Sequence, residues 1–172
     1  YVMSSFDQAF RKANEAKSDY FLFLRIEEKE RSFEISLSIF LTRTGSELDT
    51  IRVFKTGNRR VQSALSKCAQ KIHDMLPLRG TLLTRRFNKG IIDLGRYQGI
   101  KKDDELLVIK KQKVKLDHKK IGFTYEDSDV LGTFTVTEAD ENVSEGMMKK
   151  KSFFDFINPG DEVIFKVEGE WG

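Results

Sequence analysis

The chain has 172 residues, room for one ordinary domain or two small ones, with 39% hydrophobic residues, 33% charged residues and a net charge of +3. Neither half concentrates positive charge: 14 basic residues stand against 10 acidic ones before Gly80, and 16 against 17 from there on. That balance argues against a dedicated nucleic-acid binder. No apolar run nears the roughly 20 residues that span a bilayer. The single cysteine, Cys68, excludes an internal disulfide and a cysteine-based zinc site.

The opening Tyr1-Val2-Met3-Ser4-Ser5 is neither the basic start nor the apolar stretch of a signal peptide. Not beginning with Met and entering a helix almost at once, it reads as the start of an excised fragment. Phe6, Ala9, Phe10, Ala13 and Ala16 recur at helical spacing, which predicts a helix from about residue 5 to 17 with Ser4 or Ser5 as N-cap. Tyr20-Phe21-Leu22-Phe23-Leu24-Arg25-Ile26 is apolar and aromatic enough to predict a central strand. Phe33, Ile35, Leu37, Ile39 and Leu41 alternate with more polar positions, a strand with one buried face. A Thr44-Gly45-Ser46 turn leads to a third strand over 48–55.

Val61, Ala64, Leu65, Cys68, Ala69, Ile72 and Leu76 then form the stripe of a second helix, stopped by Pro77. Residues 1–79 therefore read as an α+β domain: an antiparallel meander with two helices on one face. Cys68 falls on the buried stripe. His73, beside Asp74, sits one residue off it and is expected to be an ordinary boundary histidine, because His118 is the only other one.

From Gly80 the pattern becomes short strands alone, at 81–86, 91–94, 106–115, 119–125, 131–139, 144–149 and 162–168, which predicts a small all-β barrel over 80–172. Asn88-Lys89-Gly90 reads as a hairpin turn with Gly90 available for positive φ. Residues 110–120 read as a lysine-rich hairpin arm with its tip at Asp117-His118-Lys119. Ile100-Lys101-Lys102-Asp103-Asp104-Glu105-Leu106-Leu107-Val108 lines up with Ile157-Asn158-Pro159-Gly160-Asp161-Glu162-Val163-Ile164-Phe165. In each, a surface turn feeds a buried strand, so the two stretches predict equivalent corners of one β-structure.

Two family patterns follow from these residues. Ser18 to Ile26, Leu41-Thr42-Arg43-Thr44-Gly45, and Ala69 to Leu76 leading into Gly80-Thr81-Leu82-Leu83-Thr84-Arg85 resemble the amino-terminal domain of TolB and related envelope proteins. Ile92-Asp93-Leu94-Gly95, Gly99-Ile100-Lys101 and Pro159-Gly160-Asp161-Glu162-Val163 are similar to the carboxy-terminal β-barrel of flagellar assembly protein T, with Asp103 where that pattern carries glycine. The resemblance implies a periplasmic, Gram-negative envelope location. It also implies a non-catalytic assembly role in a flagellar motor ring or collar, with other envelope or flagellar-motor proteins, or copies of the chain itself, as partners.

No nucleophile elbow or phosphate-cradling loop is present. Asp103-Asp104-Glu105 and Glu126-Asp127-Ser128-Asp129 lack the spacing of a calcium loop and read as solvated turns. No catalytic, cofactor-binding or metal-binding residue is nominated, and no enzyme is expected. The candidate interaction surface comprises Arg59 and Arg60, the arm lysines Lys110, Lys111, Lys113 and Lys115, and Phe153 with Phe154. The lysines suit phosphate, an anionic membrane surface or an acidic partner. Without exposed aromatics between them they lack the stacking platform of a single-strand binder. Three aromatics in Phe153-Phe154-Asp155-Phe156 cannot easily all face one small core, so the stretch reads either as contributing to an interface or as a plug of the barrel. The reading is thus an envelope scaffold fragment. The alternative is an oligonucleotide-binding-like barrel that takes nucleic acid.

Overall fold

The computed structural model describes residues 6–165 and divides them into two compact units. The first comprises residues up to Leu76 together with Leu116–Gly122; the second begins at Pro77 and takes the rest. Ser4 and Ser5, read above as the N-cap, and residues 166–168 of the last expected strand lie outside the described residues.

The first unit is α+β. Its elements are α1 (Phe6–Glu15), β1 (Tyr20–Lys29), β2 (Ser32–Leu41), β3 (Ser46–Thr56) and α2 (Arg60–Met75). The strands pair antiparallel in the order β1-β2-β3. Strict alternation on β2 buries Phe33, Ile35, Leu37 and Ile39 on one face. Ile51 and Val53 of β3 and Ala64 and Cys68 of α2 close over them. Burial pushes the Cys68 thiol up from its ordinary value, partly offset by the nearby Lys71 charge. The thiol is therefore held neutral, as a small buried hydrophobe.

Two expectations are corrected here. The sequence reading put both helices on one face of the sheet. Instead, α2 covers β2 and β3 on the Ile35–Ile39 face. The Phe6 and Phe10 rings of α1 lie 5–6 Å from those of Phe21 and Phe40. Phe21 and Phe40 are cross-strand partners at even β2 parity, so they point to the opposite face. Helical periodicity identifies the stripe of α1 but not the side of the sheet it meets. Among the described residues the strand over 20–26, expected at the centre, is an edge strand. Burial accounts for Phe21, under α1, and for Tyr20, but not for Leu22, Leu24 and Ile26.

The second unit is a closed six-stranded barrel. It comprises β4 (Arg79–Arg86), β5 (Lys89–Ile92), β6 (Glu105–Ile109), β9 (Val130–Ala139), β10 (Ser144–Lys150) and β11 (Glu162–Phe165), ordered β10-β5-β4-β11-β6-β9. The long β6–β9 connection carries only a two-residue ladder, β7 (Lys115–Leu116) with β8 (Phe123–Thr124). The expected strand over 106–115 stops at Ile109, because Gln112 takes φ 65°, a backbone incompatible with a continuing strand. Leu116–Gly122 belong to the first unit, where Ile121 packs on its core and Tyr20 Oη donates to the Gly122 carbonyl at 3.4 Å.

The barrel is built from two equivalent halves. Strand β4 pairs with β5 as β9 pairs with β10, each with one extra residue after Leu82 or Val136. Between the halves, β5 and β10 pair so that Ser144 faces Ile92 and Gly146 faces Gly90. The two corners aligned in the sequence match bond for bond. Lys101 N donates to Asp104 Oδ2 and Asn158 N to Asp161 Oδ2, both at 2.7 Å. Asp103 N reaches the Val136 carbonyl at 2.8 Å and Gly160 N the Leu82 carbonyl at 2.7 Å. Asp103 and Gly160 occupy the same left-handed position, at φ 71° and 95°. The core is shared unequally: Gly80 and Ile92 in one half correspond to Phe134 and Gly146 in the other. A side chain at Gly146 would run into the Phe134 ring. Each half therefore fills the same space from a different strand.

Candidate functional site

The corresponding connections of the two halves are finished differently. Between β5 and β6, residues 93–104 lie back on the barrel, with Leu94 and Ile100 buried. Gly95 comes so close to the β9–β10 turn that a Cβ there would sit 2.6 Å from the Asp140 and Glu141 carbonyls. Arg96 N and Tyr97 N donate to those carbonyls at 2.8 and 3.0 Å. Between β10 and β11 the buried residues are Ile157, the counterpart of Ile100, and Asp161 of the corner. Residues 151–156 stand off, and a cleft of about 720 Å³ opens beside them, lined among others by Arg85, Phe87, Met148, Lys149 and Asp155.

Arg85 holds this open connection in place. Its Nε donates to the Phe87 carbonyl at 2.8 Å, and its Nη atoms donate to both Asp155 carboxylate oxygens and to the Ile157 carbonyl. The hydrogen bond from Arg85 holds the Asp155 carboxyl below its ordinary range, against a smaller desolvation effect. The same bond raises Arg85. One guanidinium thus ties the β4–β5 turn to the β10–β11 connection.

What this frame presents is aromatic. Phe87, Phe153, Phe154 and Phe156 are 84%, 86%, 66% and 60% exposed. The Phe153 and Phe154 rings meet edge to face at 5.4 Å, and Phe154 and Phe156 at 6.1 Å. Phe87 is also in an uncommon conformation, φ 55°, where glycine or asparagine is the ordinary occupant. The expected turn glycine, Gly90, is instead inside β5, where a side chain would strike Leu82 and the Thr84 carbonyl. Lys149 and Lys150 line the cleft, and Lys150 Nζ donates to the Phe153 carbonyl at 2.7 Å and lies 5.8 Å from the Phe153 ring centroid. Lys151 pairs with Asp127 at 2.7 Å.

A second surface lies on the first unit. Leu22, Leu24 and Ile26 face Ile39, Leu37 and Ile35 across the β1–β2 ladder and so share the α2 side of the sheet. Because α2 lies over β2 and β3, these three remain 39%, 44% and 49% exposed. Arg60 of α2 pairs with Glu28 at 3.2 Å at one end of this row. Tyr20, packed on the core, closes the other.

The basic residues nominated from the sequence are scattered by comparison. Arg59 is exposed at the N-cap of α2, and Arg60 is half-buried in its ion pair. Lys110, Lys111, Lys113 and Lys115 are all exposed on the bent β6–β9 connection, with Lys113 lying 3.8 Å from Asp129. The structure brings Phe153, Phe154 and Phe156 of the aromatic stretch together, and adds Phe87 and Arg85, which the sequence reading missed. The signal for Phe87 was an aromatic at a two-residue turn; for Arg85 there was none.

Residues 2–74 match the family TPASS_0648_2nd, described as a second domain. The TPASS_0648_2nd match covers the helices and meander of the first unit and leaves the barrel unmatched. No curated protein matches the chain.

His73 and Asp74 form an exposed neighbouring pair 3.4 Å apart. Among the described residues no group of three histidine, cysteine, aspartate or glutamate side chains could hold a metal ion, and no helix is long and apolar enough to cross a membrane. Asp104 and Asp161 cap their own turns, and Asp127 and Asp129 pair with lysines.

Proposed function

We propose that the chain is a non-catalytic interaction module of a bacterial cell-envelope assembly, docking neighbouring subunits on the exposed apolar row along the outer side of β1. The observation that carries this reading is the row Leu22, Leu24, Ile26 on a ten-residue edge strand. An edge strand offers unpaired backbone groups, and proteins that do not use such an edge blunt it with charge, bulges or cover. Here the middle of the strand is apolar on the α2 side, with Arg25 on the opposite face and the remaining charges at the Glu27–Lys29 end. Strand addition would supply main-chain bonds, and the exposed row would supply side-chain contacts.

The TolB-like and flagellar protein T-like patterns support an envelope or flagellar ring setting, with other motor proteins or further copies of the chain as partners. The second-domain description of the matched family supports a module working beside others in one protein. Photo-crosslinking from position 24 in the native cells tests the reading. Adducts with envelope subunits, lost when Leu22 and Ile26 are both changed to Thr, are expected. Adducts confined to nucleic acid or cytosolic enzymes would reject it.

A further inference from the structure

We propose that the phenylalanine cluster on the barrel is a membrane-docking wedge that inserts into the surface of an anionic phospholipid bilayer. The proposal rests on the open end of the barrel and is independent of the β1 edge. Four phenylalanines from two loops, Phe87, Phe153, Phe154 and Phe156, stand clear of the core. Their rings carry no polar tip, so none asks for a hydrogen-bond partner in the occupant. Three of them, Phe153, Phe154 and Phe156, pack into one exposed apolar patch, and such a patch marks an interaction site.

The charges around the cluster select the occupant. Arg86, Lys89, Lys149 and Lys150 are exposed on the strands that carry these loops. The one acidic residue among the rings, Asp155, has its charge taken up by Arg85. Apolar rings with lysine and arginine behind them match a surface of anionic headgroups over hydrocarbon. A nucleic-acid strand fits less well, because it needs ring faces left free in a row. Here Phe153, Phe154 and Phe156 pack on one another.

Phe87 adds an independent sign. A large aromatic held at φ 55° costs stability that glycine would not, while its own ring is almost wholly in solvent. The folded protein gains nothing from that ring, which points to a use outside the fold.

Flotation of the full chain with vesicles tests the wedge. Binding to phosphatidylglycerol–phosphatidylethanolamine vesicles, and not to phosphatidylcholine vesicles, is expected. Changing Phe153 and Phe154 together to Ser should weaken it by about tenfold or more with the thermal transition unchanged. Phe87→Gly should weaken it while raising the transition. Lys149→Gln with Lys150→Gln should reduce binding most at low salt. Leu24→Lys on β1 should leave it intact, which separates this proposal from the docking role of that edge. Absence of flotation at low salt, equal flotation of the Phe153/Phe154 variant, or binding of a single-stranded oligonucleotide through these phenylalanines without vesicle binding would each overturn the wedge.

Discussion

The two halves of the barrel share a register, a pair of corners and a core, yet one is sealed and the other open. In the sealed half, backbone amides of Arg96 and Tyr97 bond straight to the neighbouring turn, and Gly95 allows the contact. In the open half a side chain, Arg85, spans the gap, and the loop it holds carries the aromatic cluster. The difference teaches where the fold ends and use begins. Backbone-to-backbone closure leaves nothing to present, whereas closure through one long side chain leaves a cleft and frees six residues of chain.

The largest test of this equivalence is in the core. Phe134→Ala, at a fully buried position, should cost about 3–5 kcal/mol in urea unfolding of the barrel. Gly146→Val should cost about 1–3 kcal/mol or more, because the new side chain meets the Phe134 ring. If the halves fill one space from alternative strands, the double variant should recover part of the loss, with a coupling of about 0.5–3 kcal/mol. Strict additivity would show that the correspondence of Gly80 and Ile92 with Phe134 and Gly146 is only formal.

Next in size is the clasp. Arg85→Met should cost about 1–2 kcal/mol and speed hydrogen exchange across 151–158, leaving 93–104 unchanged. Asp155 gives the matching pH signature. Its folded carboxyl is held below the ordinary value near 3.9, so the stabilisation is present above that value. It is lost as the pH falls through the lower folded value. Asp155→Asn should flatten stability in that acid window alone, by a small amount, since the pair is partly exposed to solvent. The smallest expected effect has the opposite sign: Phe87→Gly should stabilise by about 0.5–1 kcal/mol by removing a left-handed aromatic, read as a rise in the thermal midpoint.

Much of this was legible in the chain. The period-2 pattern of Phe33 to Leu41 located β2, the stripe from Val61 to Leu76 located α2, and the repeated corner after Ile100 and Ile157 announced the barrel's symmetry. The rest of the repeat was hidden, because β4 and β9 place glycine and phenylalanine at corresponding sites and no residue-by-residue likeness survives that exchange. Side of the sheet was equally hidden: Phe6 and Phe10 mark a stripe but do not say which face Phe21 and Phe40 will offer. The apolar run from Tyr20 to Ile26 looked like interior because burial and binding call for the same residue types. Phe153 and Phe154 were readable as surplus to the core. Arg85 was not, since its role depends on two loops meeting in space.

The insertion of Leu116–Gly122 into the first unit carries a consequence for biosynthesis. Ile121 completes a core whose other members end at Met75, and Gly122 receives the Tyr20 hydroxyl. As the polypeptide leaves the ribosome, the helices and meander emerge first but lack this last piece until translation has passed well into the barrel. The packing of that unit is therefore completed only once the chain has been made as far as Gly122, in the middle of the β6–β9 connection.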